Sequence, residues 1–152
     1  MNTVQSIVTF VLDGLRYALY LSVLERVVRA VEITPLPKAP DIVVGIINVQ
    51  GRIIPVVNIR KRFRLPPREM TLNDQFIIAR TSARPLAMIV DSVQGIIEYH
   101  EDMLISPDEI VAGIEYIDGI VKLQDGMILI HDLEKFLSLK EGRSLDRAIA
   151  QA

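Results

Sequence analysis

Few residues of this 152-residue chain are suited to chemistry. His131 stands beside Asp132, a pair from which a general base with its orienting carboxylate, or the start of a metal site, can be built. Adjacent strand residues point to opposite faces, however, which separates the two side chains. The only other histidine is His100, and a zinc site needs three or four ligands that these histidines cannot provide. The plainer reading puts His131 at a strand-to-helix junction with Asp132 as the cap behind it. Glu98, Glu101 and Asp102 offer carboxylates for acid–base work, but they fall in a polar turn where solvation is the ordinary state.

Other chemistries lack a foundation. The chain has no cysteine, which excludes disulfides, thiolate zinc sites and thiol nucleophiles. Neither GxSxG nor GxxxxGK occurs, and the eight glycines are dispersed at turns. Arg60, Lys61, Arg62 and Arg64 form a local basic run that can hold phosphates; the alternative is a solvated helical turn with Phe63 dipping into the core. Stacking aromatics and further basic clusters are missing, so nucleic-acid binding is not expected. Arg52, Arg84 and Lys122 read as solubility charges on strand faces.

The bulk numbers agree with a non-catalytic globular chain. Half of the residues are hydrophobic, enough for a core in a single domain spanning residues 1–152 or in two small lobes. Seventeen basic and nineteen acidic side chains leave a formal charge of −2, so nothing draws the whole molecule to nucleic acid or an anionic membrane. The N-terminal MNTVQSIVTF lacks the basic segment and cleavage site of a secretory signal, and no apolar run approaches the ~20 residues of a membrane helix. The expectation is a soluble cytoplasmic protein without direct membrane insertion.

The elements that must position these residues are mostly strands. Thr3 to Leu12 and Leu15 to Tyr20 flank Asp13-Gly14, a hairpin signal, and Leu21 to Glu25 suits a short helical turn. Arg26 to Ile33 reads as a strand with one wet face, and TPLPKAP, with prolines at 35, 37 and 40, as a stiff extended crossover. The stretch Gly45 to Leu65 then organises the chain: an apolar run ending at Val49, a turn at Gln50-Gly51, a second apolar segment broken by Pro55, and the basic exit. Gln75 to Arg80, Pro85 to Val90 and Val93 to Tyr99 follow as strands, with Gly95 marking a bulge or close backbone approach. Ser106 to Glu109 can open a helical turn, and Asp125-Gly126 marks another hairpin. From Asp132 the spacing of Leu133, Phe136 and Leu137 predicts a helix, and residues 140–152 form a charged tail, helical or frayed. The pattern predicts an all-β fold of small barrels with a short C-terminal helix.

Three segments, in order, resemble the CheW-type chemotaxis coupling proteins: TPLPKAP followed by VVGIINVQGRIIPVVNIRKRF, then LAMIVDSVQGIIE, then EYIDGIVKLQDGMILIHDLEKFL. The resemblance spans about residues 5 to 138. It implies two SH3-like β-barrel lobes sharing a hydrophobic core. It also implies an adaptor without catalysis or cofactor, coupling the cytoplasmic helical hairpin of a chemoreceptor to the regulatory domain of a CheA-type histidine kinase. Such a protein associates with receptor arrays at the inner membrane through its partners. The receptor would lie in a groove between the lobes lined by Val and Ile, and the kinase domain would take a barrel end. On these grounds Val27, Arg29, Gly45, Asn48, Gln50 and Gly51 are the expected partner-binding residues. Two departures stand out. Gln50 occupies the position of a usual arginine and Arg29 that of a frequent acidic residue, so the Glu–Arg pair between these elements is expected to be absent. A CheW-like adaptor of a divergent motility or gene-control pathway is the alternative these departures suggest, and a small metal-dependent hydrolase using His131 and Asp132 is the alternative from another class.

Overall fold

The computed structural model describes residues 4–106 and 116–151. Two hairpin-rich sheets account for most of it. β1 (Val4–Leu12), β2 (Leu15–Tyr20), β8 (Ser92–His100), β9 (Leu104–Ile105), β10 (Ile117–Leu123) and β11 (Gly126–His131) form one sheet in the order β8-β1-β2-β11-β10-β9. β3 (Leu24–Arg29), β4 (Val43–Val49), β5 (Arg52–Val57), β6 (Gln75–Arg80) and β7 (Pro85–Val90) form the other in the order β3-β6-β7-β5-β4.

Each sheet curls on itself by the same device. The chain leaving β8 makes a short 3-10 turn at Glu101–Met103 and returns as β9 on the opposite edge, against β10. The chain leaving β3 reaches the far edge at Thr34, whose amide and carbonyl bond those of Ile46 in β4 at 2.9 and 2.8 Å. Both sheets also contain one parallel pair, β2 with β11 and β5 with β7. The result is two SH3-like lobes of matching strand order. They are intertwined, because β1 and β2 come from the N-terminus while the rest of their lobe follows the other lobe in sequence.

Three apolar clusters explain why the strands lack clean alternation. Ile7 of β1 faces the interior of its own lobe with Ala18, Tyr99, Val121, Ile128 and Ile130. Val8, Phe10 and Leu12 face the other way, into a core shared with Val57, Ile77, Met88 and Val90 of the second lobe. β6 repeats this, with Phe76 and Ile78 inside its lobe and Ile77 and Ala79 in the shared core. A strand buried on both faces reads as a continuous apolar run.

Several local expectations hold. Asp13 and Gly14 both have positive φ in the first hairpin, and Gly126 does so in the last. The register slips opposite Gly95, where Thr9 pairs with Gly95 and Phe10 with Val93, as expected of a bulge. Leu21–Val23 is a short 3-10 turn. Pro55 does not break β5, because its partner Ile46 spends both backbone groups on Thr34. Their pair is thus a non-hydrogen-bonded one, and the proline nitrogen faces the β7 side just before that pairing begins at Val56.

Other expectations are corrected. The strand expected over 26–33 runs from Leu24 to Arg29. The helix expected from Asp132 is a single 3-10 turn, Leu133–Lys135, capped by the Asp132 carboxylate on the Glu134 amide. The helix proper is α2 (Leu139–Gln151). Its start is a capping box: Ser138 Oγ accepts from the Glu141 amide, and Glu141 Oε1 accepts from the Ser138 amide. Leu145 and Ala148 dock it into the shared core, and Arg84 and Asp146 pair at its side. The turn expected from Ser106 to Glu109 lies largely outside the described residues.

Candidate protein-interaction site

The β4–β5 hairpin is built around its two-residue turn. Val49 pairs with Arg52, and Gln50 and Gly51 both adopt positive φ, 52° and 84°. That is the mirror-image turn whose twist matches antiparallel strands, and it favours glycine at its second position. Asn48 Oδ1 accepts the Gly51 amide at 2.9 Å and so locks the turn from its own strand. Gln50 and Asn48 are left exposed at the rim.

Gly45 has a different reason to be glycine. A Cβ there would stand 2.3 Å from the Thr34 carbonyl oxygen, so a side chain would force apart the bridge that closes the lobe. Val27 is half-buried against the shared core, and Arg29 is exposed opposite Gln75. Arg29 is four residues, roughly 13 Å of strand, from Glu25. The structure does not bring it to the Gln50 turn.

Glu25 and Arg26 are there instead. The Glu25 carboxylate accepts from Arg52 at 3.1 Å and from Arg80 at 3.0 Å, tying β3 to β5 and β6. These hydrogen bonds, Arg80 first and Arg52 second, hold the carboxyl below the usual range. A Glu–Arg pair between the preceding strand and the turn is therefore present, through Glu25 and Arg52, where the sequence reading expected none. Arg52 is an ion-pair partner rather than a free solubility charge, and so is Arg84. Sequence reasoning missed Glu25 because a carboxylate 27 residues from its partner leaves no local spacing signal.

Two of the four cations beyond β5, Arg60 and Arg62, are turned inward, while Lys61 and Arg64 are exposed. Asn58 caps α1 (Ile59–Arg62) through the Lys61 amide. The turn ends with Arg64 at φ 57° and the Leu65 amide on the Arg60 carbonyl, a Schellman closure. Arg60, with 11% of its side chain exposed, places one guanidinium nitrogen 2.8 and 2.9 Å from the two Asp91 oxygens. Asp91 also accepts from Arg68 and from the Asp13 amide. Burial pushes the Asp91 carboxyl up, and the hydrogen bonds from Arg60, Asp13 and Arg68 outweigh it, so the net movement is downward. Arg62 bonds Glu141 at 2.8 Å and lies 5.2 Å from the Tyr116 ring centroid. Arg60 and Arg62 are thus spent on clamping the lobes and α2, and only Lys61 and Arg64 of the run stay at the surface.

His131 and Asp132 do not form a pair. The imidazole is 2% exposed, 4.1 Å from the Phe63 ring, and neither nitrogen has a hydrogen-bond partner among the described residues. Burial lowers its pKa to about 3, which keeps the ring neutral. The Asp132 carboxylate caps the following turn and faces Lys135 at 3.6 Å. Among the described residues no group of three or more His, Cys, Asp or Glu is placed to hold a metal ion. Glu98, Glu101 and Asp102 are exposed.

Between the two sheets lies a hollow of about 180 Å³ lined by Tyr20, Val23, Arg80, Asp118, His131, Asp132, Leu133 and Glu134. Tyr20 donates to Asp118 at 2.7 Å across its mouth, and burial first, then this hydrogen bond, raises the phenol pKa. No described helix is long and apolar enough to cross a membrane.

Comparison with known proteins gives one answer. The model of the CheW-like domain matches residues 6–141. A chemotaxis protein CheW from Treponema pallidum is 30% identical over 145 residues, covering 91% of this chain and 85% of the relative. One from Thermotoga maritima is 31% identical over 139 residues, covering 90% and 91%. The crystal structure of the scaffolding protein TtCheW from Thermoanaerobacter tengcongensis superposes with a TM-score of 0.83 at 31% identity, covering 91% of this chain and 96% of that one.

Proposed function

This chain belongs to the CheW-like domain family, and from that premise we propose that it is a non-enzymatic adaptor coupling the cytoplasmic tip of a chemoreceptor to a CheA-type histidine kinase. The observation that carries the reading is the match over residues 6–141, which takes in both lobes and the hairpin at the rim. The relatives named as chemotaxis proteins and the solved scaffolding protein support a scaffold role in chemotaxis. Shape and chemistry support the coupling. Two lobes clamped by Arg60–Asp91, Arg62–Glu141 and the shared core form a stiff body with little to lose on binding. Exposed turns and barrel ends then offer separate surfaces to two partners.

In this reading the receptor's helical hairpin lies in the groove between the lobes, and the kinase regulatory domain takes a barrel end. Asn48 and Gln50 contact a partner directly, Gly45 and Gly51 give the hairpin its shape, and Val27 and Arg29 extend the surface along β3. Modest individual affinities suffice, because many copies in an array add by avidity. The protein works on the cytoplasmic side of the membrane, held there by its partners.

Isothermal titration against an isolated kinase regulatory domain and against a soluble receptor-tip hairpin tests the proposal. Saturable binding to each is expected. Absence of binding to both at the highest soluble concentrations would remove it.

A further inference from the structure

Around the Gln50-Gly51 turn the charge is lopsided. A hollow of about 140 Å³ opens there, lined by Glu25, Arg26, Gln50, Arg52 and the apolar wall of Val49 and Ile54. Arg26, Arg52 and Arg80 surround Glu25, the only carboxylate at its edge among the described residues. Both oxygens of Glu25 are taken, one by Arg52 and one by Arg80, and its side chain is 17% exposed. Arg26 is exposed and has no ion-pair partner among the described residues, and the Gln50 amide makes no hydrogen bond among them either. The free polar groups facing the hollow are the whole of Arg26, the remaining N–H groups of Arg52 and the side-chain amide of Gln50, which can donate or accept; the charged ones are all cationic. This positive rim sits on a chain whose formal charge is −2, so it is a local segregation of charge and not a general property of the surface.

Cations in excess of carboxylates select an anionic acceptor. We propose that this hollow seats a carboxylate side chain of the protein partner, held between the Arg26 and Arg52 guanidinium groups with the Gln50 amide N–H donating beside them. The inference rests on the adaptor reading and adds the chemistry of the partner's contact: an Asp or Glu projecting from its docking face. The volume equals roughly four or five waters, which suits one carboxylate side chain and their displacement on binding. Arg52 is already fixed by Glu25, so its fork is oriented before the partner arrives and loses little freedom on binding. The neutral Gln50 fits the same logic. It adds a hydrogen bond without adding a second unpaired cation beside Arg26.

The test titrates the parent, Arg26→Gln, Arg26→Glu and, as a charge control in the other lobe, Lys122→Glu against the kinase regulatory domain and the receptor-tip hairpin at two salt concentrations. Melting curves establish that each variant folds. For the partner that uses this hollow, Arg26→Glu should weaken binding by about tenfold or more and Arg26→Gln by a smaller factor. The salt dependence should flatten in both, and Lys122→Glu should stay within about twofold. Converting the partner's Asp and Glu residues singly to Lys should identify one position that restores binding to Arg26→Glu. If the parent binds but Arg26→Glu matches it with both partners, the carboxylate seat is wrong and the adaptor reading stands. If the parent binds neither, both fall together.

Discussion

Acidification to pH 5.0 should destabilise this protein through His131. The imidazole is enclosed by Phe63, Tyr17, Phe136 and Phe10, with ring centroids 4.1, 4.7, 5.4 and 5.6 Å away, and neither nitrogen is hydrogen-bonded among the described residues. Burial holds its pKa at about 3 instead of the ordinary 6.5. As pH falls below 6.5 the unfolded chain takes up this proton while the folded chain refuses it until about pH 3. The unfolded state then binds more protons, so stability falls with pH across that window. At pH 5.0 the loss is about 2 kcal/mol, or a Tm lower by about 4–8 °C for a chain of this length. The lowered carboxyls of Glu25, Asp91 and Glu141 act elsewhere: their stabilisation is present above the ordinary carboxylate pKa and is lost only as pH falls through their lower folded values. His131→Leu removes both the titration and two unpaired buried nitrogens. It should be more stable at pH 7.5 by about 1–3 kcal/mol and nearly flat from pH 7.5 to 5.0. Urea unfolding of both proteins at pH 7.5, 6.0 and 5.0 reads this out. Equal losses in the two proteins would refute the reasoning.

Three further outcomes follow from packing and charge. Gly45→Ala places a methyl against the Thr34 carbonyl and should cost about 2–3 kcal/mol by opening the lobe closure, seen as faster hydrogen exchange at the Thr34 and Ile46 amides. Arg60→Ala removes one of the two guanidinium partners of Asp91, and because Asp91 is about one-quarter exposed the loss should be near 2 kcal/mol in a urea melt, below that of a fully buried pair. Gln50→Gly relieves a side chain held at φ 52° and should gain about 0.5 kcal/mol in thermal unfolding, while weakening partner binding through loss of the amide.

What could be read from the chain depended on the range of the signal. Asp13-Gly14, Gln50-Gly51 and Asp125-Gly126 mark hairpins because backbone strain at positive φ selects residues locally. Gly95 announced its bulge for similar reasons. The two-lobed fold was legible through strand count and family resemblance, although the burial of β1 and β6 on both faces erased the alternation that would have assigned their sides. The last helix was misplaced because Leu133, Phe136 and Leu137 have helical spacing, while the actual start depends on the Ser138–Glu141 capping box just downstream. At the site, the turn residues were found and their neighbours were not. Where β3 begins is set by the 3-10 turn at Leu21–Val23, and that register puts Arg26 at the turn and leaves Arg29 beyond it. The Glu25–Arg52–Arg80 bridge joins three strands distant in sequence, which no local pattern encodes. The inward turn of Arg60 and Arg62 depends on Asp91 and Glu141, equally remote.

Co-sedimentation reads out the coupling in one step. Membranes or arrays bearing a receptor-tip assembly are mixed with the CheA-type kinase, with and without this protein, and the kinase in the pellet is quantified. The kinase should sediment with the receptor only when this protein is present, and Arg26→Glu should reduce the amount. Kinase recovery that is the same with and without this protein would contradict the coupling.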